Sequence, residues 1–240
     1  MIFMLQGKPM LMTTFHGIVR LPVAVVGLIA IMAAFGHWSL GLADPHQFAT
    51  VPALAVTTSG GKELGGLHYI VIQLDRDPTR RGPTIQFSER FMGSAVGDDW
   101  KEGVHVAVAA AAAVMGEDPR YWTLTIRNRS NVALTVGSSA SSAVAVGIMA
   151  AWRGDALQPD VALTGAIRPD GRISEVGGLP SKLEGAAAAS MRTLLVPKGQ
   201  ARASGADLIQ LGRERNISVV EVSTLREAYE LMTGRKLSGP

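Results

Sequence analysis

Cysteine is absent from the 240 residues. That excludes disulfides, thiol nucleophiles and cysteine-ligated metals, and leaves the redox compartment open. Lysine is scarce, at positions 8, 62, 101, 182, 198 and 236 only, so a lysine inside an apolar run stands out. Positive charge is carried by scattered arginines, and the net charge of +3 forms no basic stripe that would track phosphates. Nucleic acid is therefore not an expected partner. No G-x-x-x-x-G-K-[S/T] string occurs, so these residues contain no P-loop. No internal repeat or low-complexity tract appears beyond one alanine run.

Charge is also missing from one long stretch. No Asp, Glu, Lys or Arg lies between Arg20 and Asp44, and Leu21 to Phe35 is wholly apolar. Residues 1–43 read as a targeting segment, an apolar helix with its positive flank on the N-terminal side. Residues 18–42 would anchor the chain in a membrane, with the rest outside the cytoplasm. Gly41 and Ala43 have signal-peptidase spacing, so cleavage after Ala43 would instead release a secreted or periplasmic protein. Both readings stand at this point.

After a linker at 44–52, short apolar strands alternate with helices over 53–236, the pattern of an α/β domain, and 237–240 read as a tail. Strands are expected at 53–57, 67–74, 84–87, 122–126, 134–136, 161–167, 172–176, 193–196 and 218–222. Helices are expected at 102–115, 139–152, 180–190, 206–214 and 224–232. The last begins with capping-box spacing, Thr224 to Glu227. Pro169-Asp170-Gly171 reads as a hairpin turn and Ser59-Gly-Gly-Lys62 as another turn.

The chemistry-bearing string is Gly137-Ser-Ser-Ala-Ser-Ser142, between an apolar strand and a small-residue helix. A serine at a helix N-terminus faces unpaired backbone N–H groups that hold an oxyanion, although the same pattern also serves as an N-cap. All five histidines precede it, so the strand-serine-helix arrangement with histidine last is excluded. A triad using His68 or His105 has no supporting motif. Downstream, Lys182 sits just inside a helix whose next turns are Gly185 and Ala186 to Ala189. Close packing there would desolvate the lysine and lower its pKa toward neutrality, although a solvated helix-start lysine fits the same string.

Three strings in order resemble the proteolytic domain of Lon proteases. These are Gly137-Ser-Ser139-Ala-Ser141, Asp160-Val-Ala-Leu-Thr164-Gly-Ala-Ile167 and Gly177-Gly-Leu-Pro-Ser-Lys182. Ser139 and Lys182 lie 43 residues apart, which aligns with the family without a gap. The resemblance extends over about residues 52–236 through Ala53 to Gly61, Arg192 to Pro197 and Val220 to Ala228.

The resemblance implies a Lon-type fold of short mixed sheets and packed helices. It also implies an endopeptidase acting on protein or peptide substrates without a cofactor; the family usually carries an ATPase module, and with no P-loop string in these residues the activity is expected to be ATP-independent. Residue by residue it makes Ser139 the nucleophile, Lys182 the general base and Thr164 the hydroxyl that orients the lysine. Gly137 and Ala140 then shape the oxyanion site, and Asp98 matches an upstream acid, although Asp98 and Asp99 equally form a helix-start pair. Ser138 and Ser141 replace the family's proline and second glycine, Ala166 replaces an acid, and Pro180 replaces a first lysine. A ring of six copies is implied by resemblance alone. The alternative is an inactive Lon-like peptide-binding or assembly module.

Overall fold

In the computed structural model, residues 47–89, 94–132, 134–202 and 205–237 are described. Two long strands, β1 (Gln47–Ser59) and β2 (Lys62–Arg76), form an antiparallel hairpin in register from Gln47↔Leu74 to Ser59↔Lys62. The turn is Gly60-Gly61, both at positive φ, which glycine adopts without a steric penalty. Residues 47–52, read from sequence as linker, are instead the first half of β1. Ala49 and Val51 are buried while Phe48 and Thr50 are exposed, the alternation of a half-buried strand. Pro52 disguises it. A proline inside a strand removes a ladder donor, and here β1 pairs with its other neighbour only at Ala53↔Leu163.

The remaining elements are β3 (Thr84–Phe87), β4 (Ala95–Val96), α1 (Asp98–Met115), β5 (Trp122–Arg129), β6 (Leu134–Thr135), α2 (Ser141–Arg153), β7 (Val161–Leu163), β8 (Ala166–Ile167), β9 (Ile173–Ser174), α3 (Leu179–Ala188), β10 (Thr193–Pro197), α4 (Leu208–Glu214), β11 (Ser218–Val222) and α5 (Leu225–Thr233). A seven-stranded mixed sheet has the order β11-β10-β7-β1-β2-β5-β3, with β11, β10, β7 and β1 parallel. Two small ribbons, β4 with β6 and β8 with β9, stand apart from it. The second is the hairpin expected around Pro169-Asp170-Gly171, and the expected strand over 161–167 is cut into β7 and β8 by Thr164-Gly165. The capping box at Thr224 and Glu227 is formed as expected. Leu237, read as tail, is buried, and its N–H donates to Glu230 Oε1.

Successive residues of β10 and β7 serve opposite faces, so the sheet has a core on each side. Val161, Leu163 and Leu195 face α1, α2 and α5, while Ala162, Leu194 and Val196 face α3 and α4. Helix α2 is buried all round from Ser141 to Ala151, which explains its composition of small and aliphatic residues. Gly147 brings it onto the β1–β2 surface, where a Cβ would come within 2.6 Å of Ile72 Cδ1. Among the described residues, no helix is long and apolar enough to cross a membrane. The apolar segment within 1–43 lies outside them.

Candidate active site

Lys182 is on the first turn of α3, and two glycine contacts press that helix against β2. A Cβ on Gly65 would lie 1.7 Å from the Ser181 carbonyl oxygen, and one on Gly185 would lie 2.5 Å from the Gly65 carbonyl carbon. Only glycine permits backbone to approach backbone this closely. The lysine that such packing carries is 3% exposed. Burial lowers its pKa from the ordinary lysine range to about 8, partly countered by the negative charge of Glu63 on β2.

Thr164 meets this amine where β7 ends. Its hydroxyl, fully buried, accepts from Lys182 Nζ at 3.1 Å and donates to the Ser139 carbonyl oxygen at 3.3 Å. One side chain therefore touches both the lysine and the backbone of the serine turn. The neighbouring Gly165 N–H donates to the same Ser139 carbonyl at 2.8 Å, and Ser142 N–H donates back to Gly165. The Thr164-Gly165 step thus clamps the serine turn to the end of the central sheet.

The turn itself begins at Gly137, whose φ of 89° lies where side-chain-bearing residues are strained. Ser138–Ala140 form a 3-10 turn running directly into α2, and its first bond goes from Ser141 N–H to Ser138. The Ser139 and Ala140 N–H groups precede that bond and have no helical acceptor, which makes them available to an anion. Ser139 is half-buried, and among the described residues its hydroxyl makes no hydrogen bond. Ser141 and Ser142 are buried and have different tasks. Ser141 Oγ accepts from Ile167 N–H, and Ser142 Oγ donates to the Gly165 carbonyl. The serine that replaces the family's second glycine is thereby accommodated by a satisfied hydrogen bond.

Asp98 is exposed and makes no hydrogen bond among the described residues. Its neighbour Asp99 contacts the turn, accepting from Gly137 N–H at 2.7 Å. The acid pair opens α1, where negative charge complements the helix dipole, and one member also holds the start of the serine turn.

Sequence reasoning missed a buried polar cluster nearby. His68 Nδ1 meets Asn128 Oδ1, and Asn128 Nδ2 donates to Ser94 Oγ at 3.0 Å and Thr135 Oγ1 at 2.7 Å. All four side chains are buried. The signal was present: His68 alternates with Ile70, Ile72 and Leu74, and Asn128 with Trp122, Leu124 and Ile126, each a polar residue in an inward-facing series. Among the described residues, no group of acidic or histidine side chains is arranged to hold a metal.

The family model of the Lon protease (S16) C-terminal proteolytic domain matches residues 93–232, a span that includes Ser139, Thr164 and Lys182. An archaeal Lon protease of Archaeoglobus fulgidus is 31% identical over 102 residues, 42% of this chain and 16% of the relative. A Lon protease of Xanthomonas oryzae is 34% identical over 102 residues, 42% of this chain and 12% of the relative. One from Chloroflexus aggregans is 27% identical over 224 residues, 89% of this chain and 25% of the relative. The matched part is thus a quarter or less of each of these relatives. With more than half of its length matched by the family model and a mixed α/β fold to suit, the chain belongs to the Lon protease proteolytic-domain family.

Proposed function

We propose that this chain is a serine endopeptidase in which Ser139 attacks the peptide carbonyl and Lys182 is the general base, without ATP. The observation that carries the reading is the Thr164 hydroxyl, bonded at once to the buried Lys182 amine and to the Ser139 carbonyl. Membership of the family supports peptidase activity, and its relatives are named Lon proteases.

The neutral amine has two N–H groups and one lone pair. Thr164 receives one N–H, so the lone pair is left for the Ser139 hydroxyl proton. As Ser139 Oγ bonds to the substrate carbonyl carbon, its proton passes to Lys182 Nζ. The carbonyl oxygen becomes an oxyanion beside the Ser139 and Ala140 N–H groups. Lys182 then gives the proton to the departing amine as the C–N bond breaks, leaving an acyl-enzyme that water hydrolyses by the same route. The apolar stretch preceding the domain would hold the protein at a membrane, or direct it beyond one, and a homo-oligomeric ring follows the family pattern.

The test is hydrolysis of an unfolded protein by the full chain without nucleotide, compared with Ser139→Ala and Lys182→Ala. Wild-type cleavage that both substitutions abolish is expected. Cleavage surviving in both variants rejects the assignment, and a folded wild type that binds the substrate without cutting it favours the inactive binding module.

A further inference from the structure

The His68–Asn128 cluster is buried, polar and outside the chemistry described above. His68 also lies outside the segment that the family model matches, which begins at residue 93. Three observations place the cluster in relation to Ser139 and Lys182.

The first is register. Ala53 on β1 pairs with Leu163 on one side and His68 on the other, so Leu163, Ala53 and His68 form one row across the sheet. Strands are roughly 4.8 Å apart, which makes that row about 10 Å wide. Thr164, the partner of Lys182, follows Leu163 and so alternates to the other face, which means that the row sets the backbone separation of the two groups and not a contact between their side chains. Burial holds the imidazole below its ordinary pKa; the Asn128 bond opposes this, and the Lys182 charge adds to it. His68 is therefore the neutral neighbour of a lysine that alternates between amine and ammonium.

The second is tautomer. Asn128 directs both amide N–H bonds to Ser94 and Thr135, so its carbonyl oxygen faces His68, an arrangement matched by a proton on Nδ1. The Nε2 lone pair is then an acceptor, and it is buried with no hydrogen-bond partner. A buried polar atom left unpaired costs stability, so its retention calls for an explanation. The third is connectivity. Thr135 lies two residues before Gly137, and Ser94 precedes β4, the strand paired with β6. Asn128 thus ties the approach to the nucleophile turn to the strand that carries His68.

We propose that His68 and Asn128 are positioning residues for the Ser139–Lys182 pair. Asn128 locks His68 as the Nδ1–H tautomer, whose Nε2 lone pair steadies the ammonium formed when Lys182 takes the serine proton. The same asparagine anchors the strand leading into the serine turn. The proposal rests on the Ser-Lys reading above. Glu63 is the other charged group acting on Lys182, and it is untouched by the substitutions below.

Two measurements test this in the full chain. In the Ser139→Ala background, NMR of the lysine Cε–Hε groups is used to titrate Lys182 with His68 intact and with His68→Asn, which keeps a donor toward Asn128 but has no Nε2. Loss of the acceptor is expected to move the Lys182 midpoint to lower pH. In the unsubstituted chain, imidazole nitrogen shifts are expected to report a neutral ring protonated at Nδ1 at pH 7, a readout that needs no variant. An unchanged Lys182 midpoint, an Nε2–H tautomer or an imidazolium overturns the proposal.

In the Ser139-containing enzyme, His68→Asn is expected to lower kcat about ten-fold with little change in KM, the pattern of an interaction made in the transition state. If Ser139→Ala is inert while His68→Asn matches wild type in kcat and pH profile, the proposal falls and the Ser-Lys reading stands. If Ser139→Ala cleaves like wild type, the Ser-Lys reading falls and takes the proposal with it.

Discussion

Lys182 Nζ donates to Thr164 Oγ1 at 3.1 Å in a place closed to solvent. Burial alone would leave this amine costly and undirected. The single hydroxyl gives it one acceptor and a fixed orientation, so basicity and aim have separate causes: packing of α3 sets the first and Thr164 the second.

Because burial brings the Lys182 pKa to about 8, only about a tenth of the chains hold the neutral base at pH 7. Peptide hydrolysis is expected to climb about ten-fold per pH step below that value and to level off above it. A kcat/KM profile between pH 5 and 10 checks this; a limb near the ordinary lysine value would mean that the amine is solvated.

Thr164→Val keeps the shape and removes the hydroxyl that touches both partners. A loss of about 100-fold in kcat is expected, at the lower end of what positioned proton transfer contributes. Thr164→Ser should recover most of it. Equal losses in Val and Ser variants would point to the methyl group and its packing instead.

The same burial that lowers the Lys182 pKa should destabilise the fold. The folded-state pKa of about 8 is below the unfolded value of 10.5, so the unfolded chain binds more protons between them. The penalty is complete below pH 8 and fades as pH rises toward 10.5. Lys182→Met should therefore gain up to about 3 kcal/mol at pH 7 and almost nothing at pH 10.5, while abolishing hydrolysis. Urea unfolding at the two pH values measures the difference.

Gly65→Ala forces a methyl group into the Ser181 carbonyl, and neither backbone can yield without shifting α3. A cost of about 1–3 kcal/mol or more is expected, with loss of activity beyond what the lowered stability explains. Gly66→Ala, where nothing lies within 4 Å of the added carbon, is the matched control. Comparable behaviour of the two would show that α3 is not held by this contact.

Much of the site was legible in order along the chain. Ser139, Thr164 and Lys182 stand in short strings at family spacing, and the turns at Gly60-Gly61 and Pro169 to Gly171 announce themselves through backbone preference. The strand at 47–52 was not legible, because Pro52 looks like a linker residue until its neighbours on both sides are known. Asp99 could not be separated from Asp98, since adjacent residues share composition and differ only in direction. His68 and Asn128 carried a faint mark, a polar residue in an inward series, but sixty positions apart they cannot be paired by eye.

Local spacing and turn chemistry by themselves determined the serine turn, the lysine's helix and the order of the elements, because these depend on neighbours a few residues away. Tertiary structure alone decided that Lys182 is desolvated, that Thr164 bridges it to Ser139 and that His68 meets Asn128. Each of those depends on backbone from distant strands coming within van der Waals contact, and it is this exclusion of water that brings an ordinary lysine's pKa down to about 8.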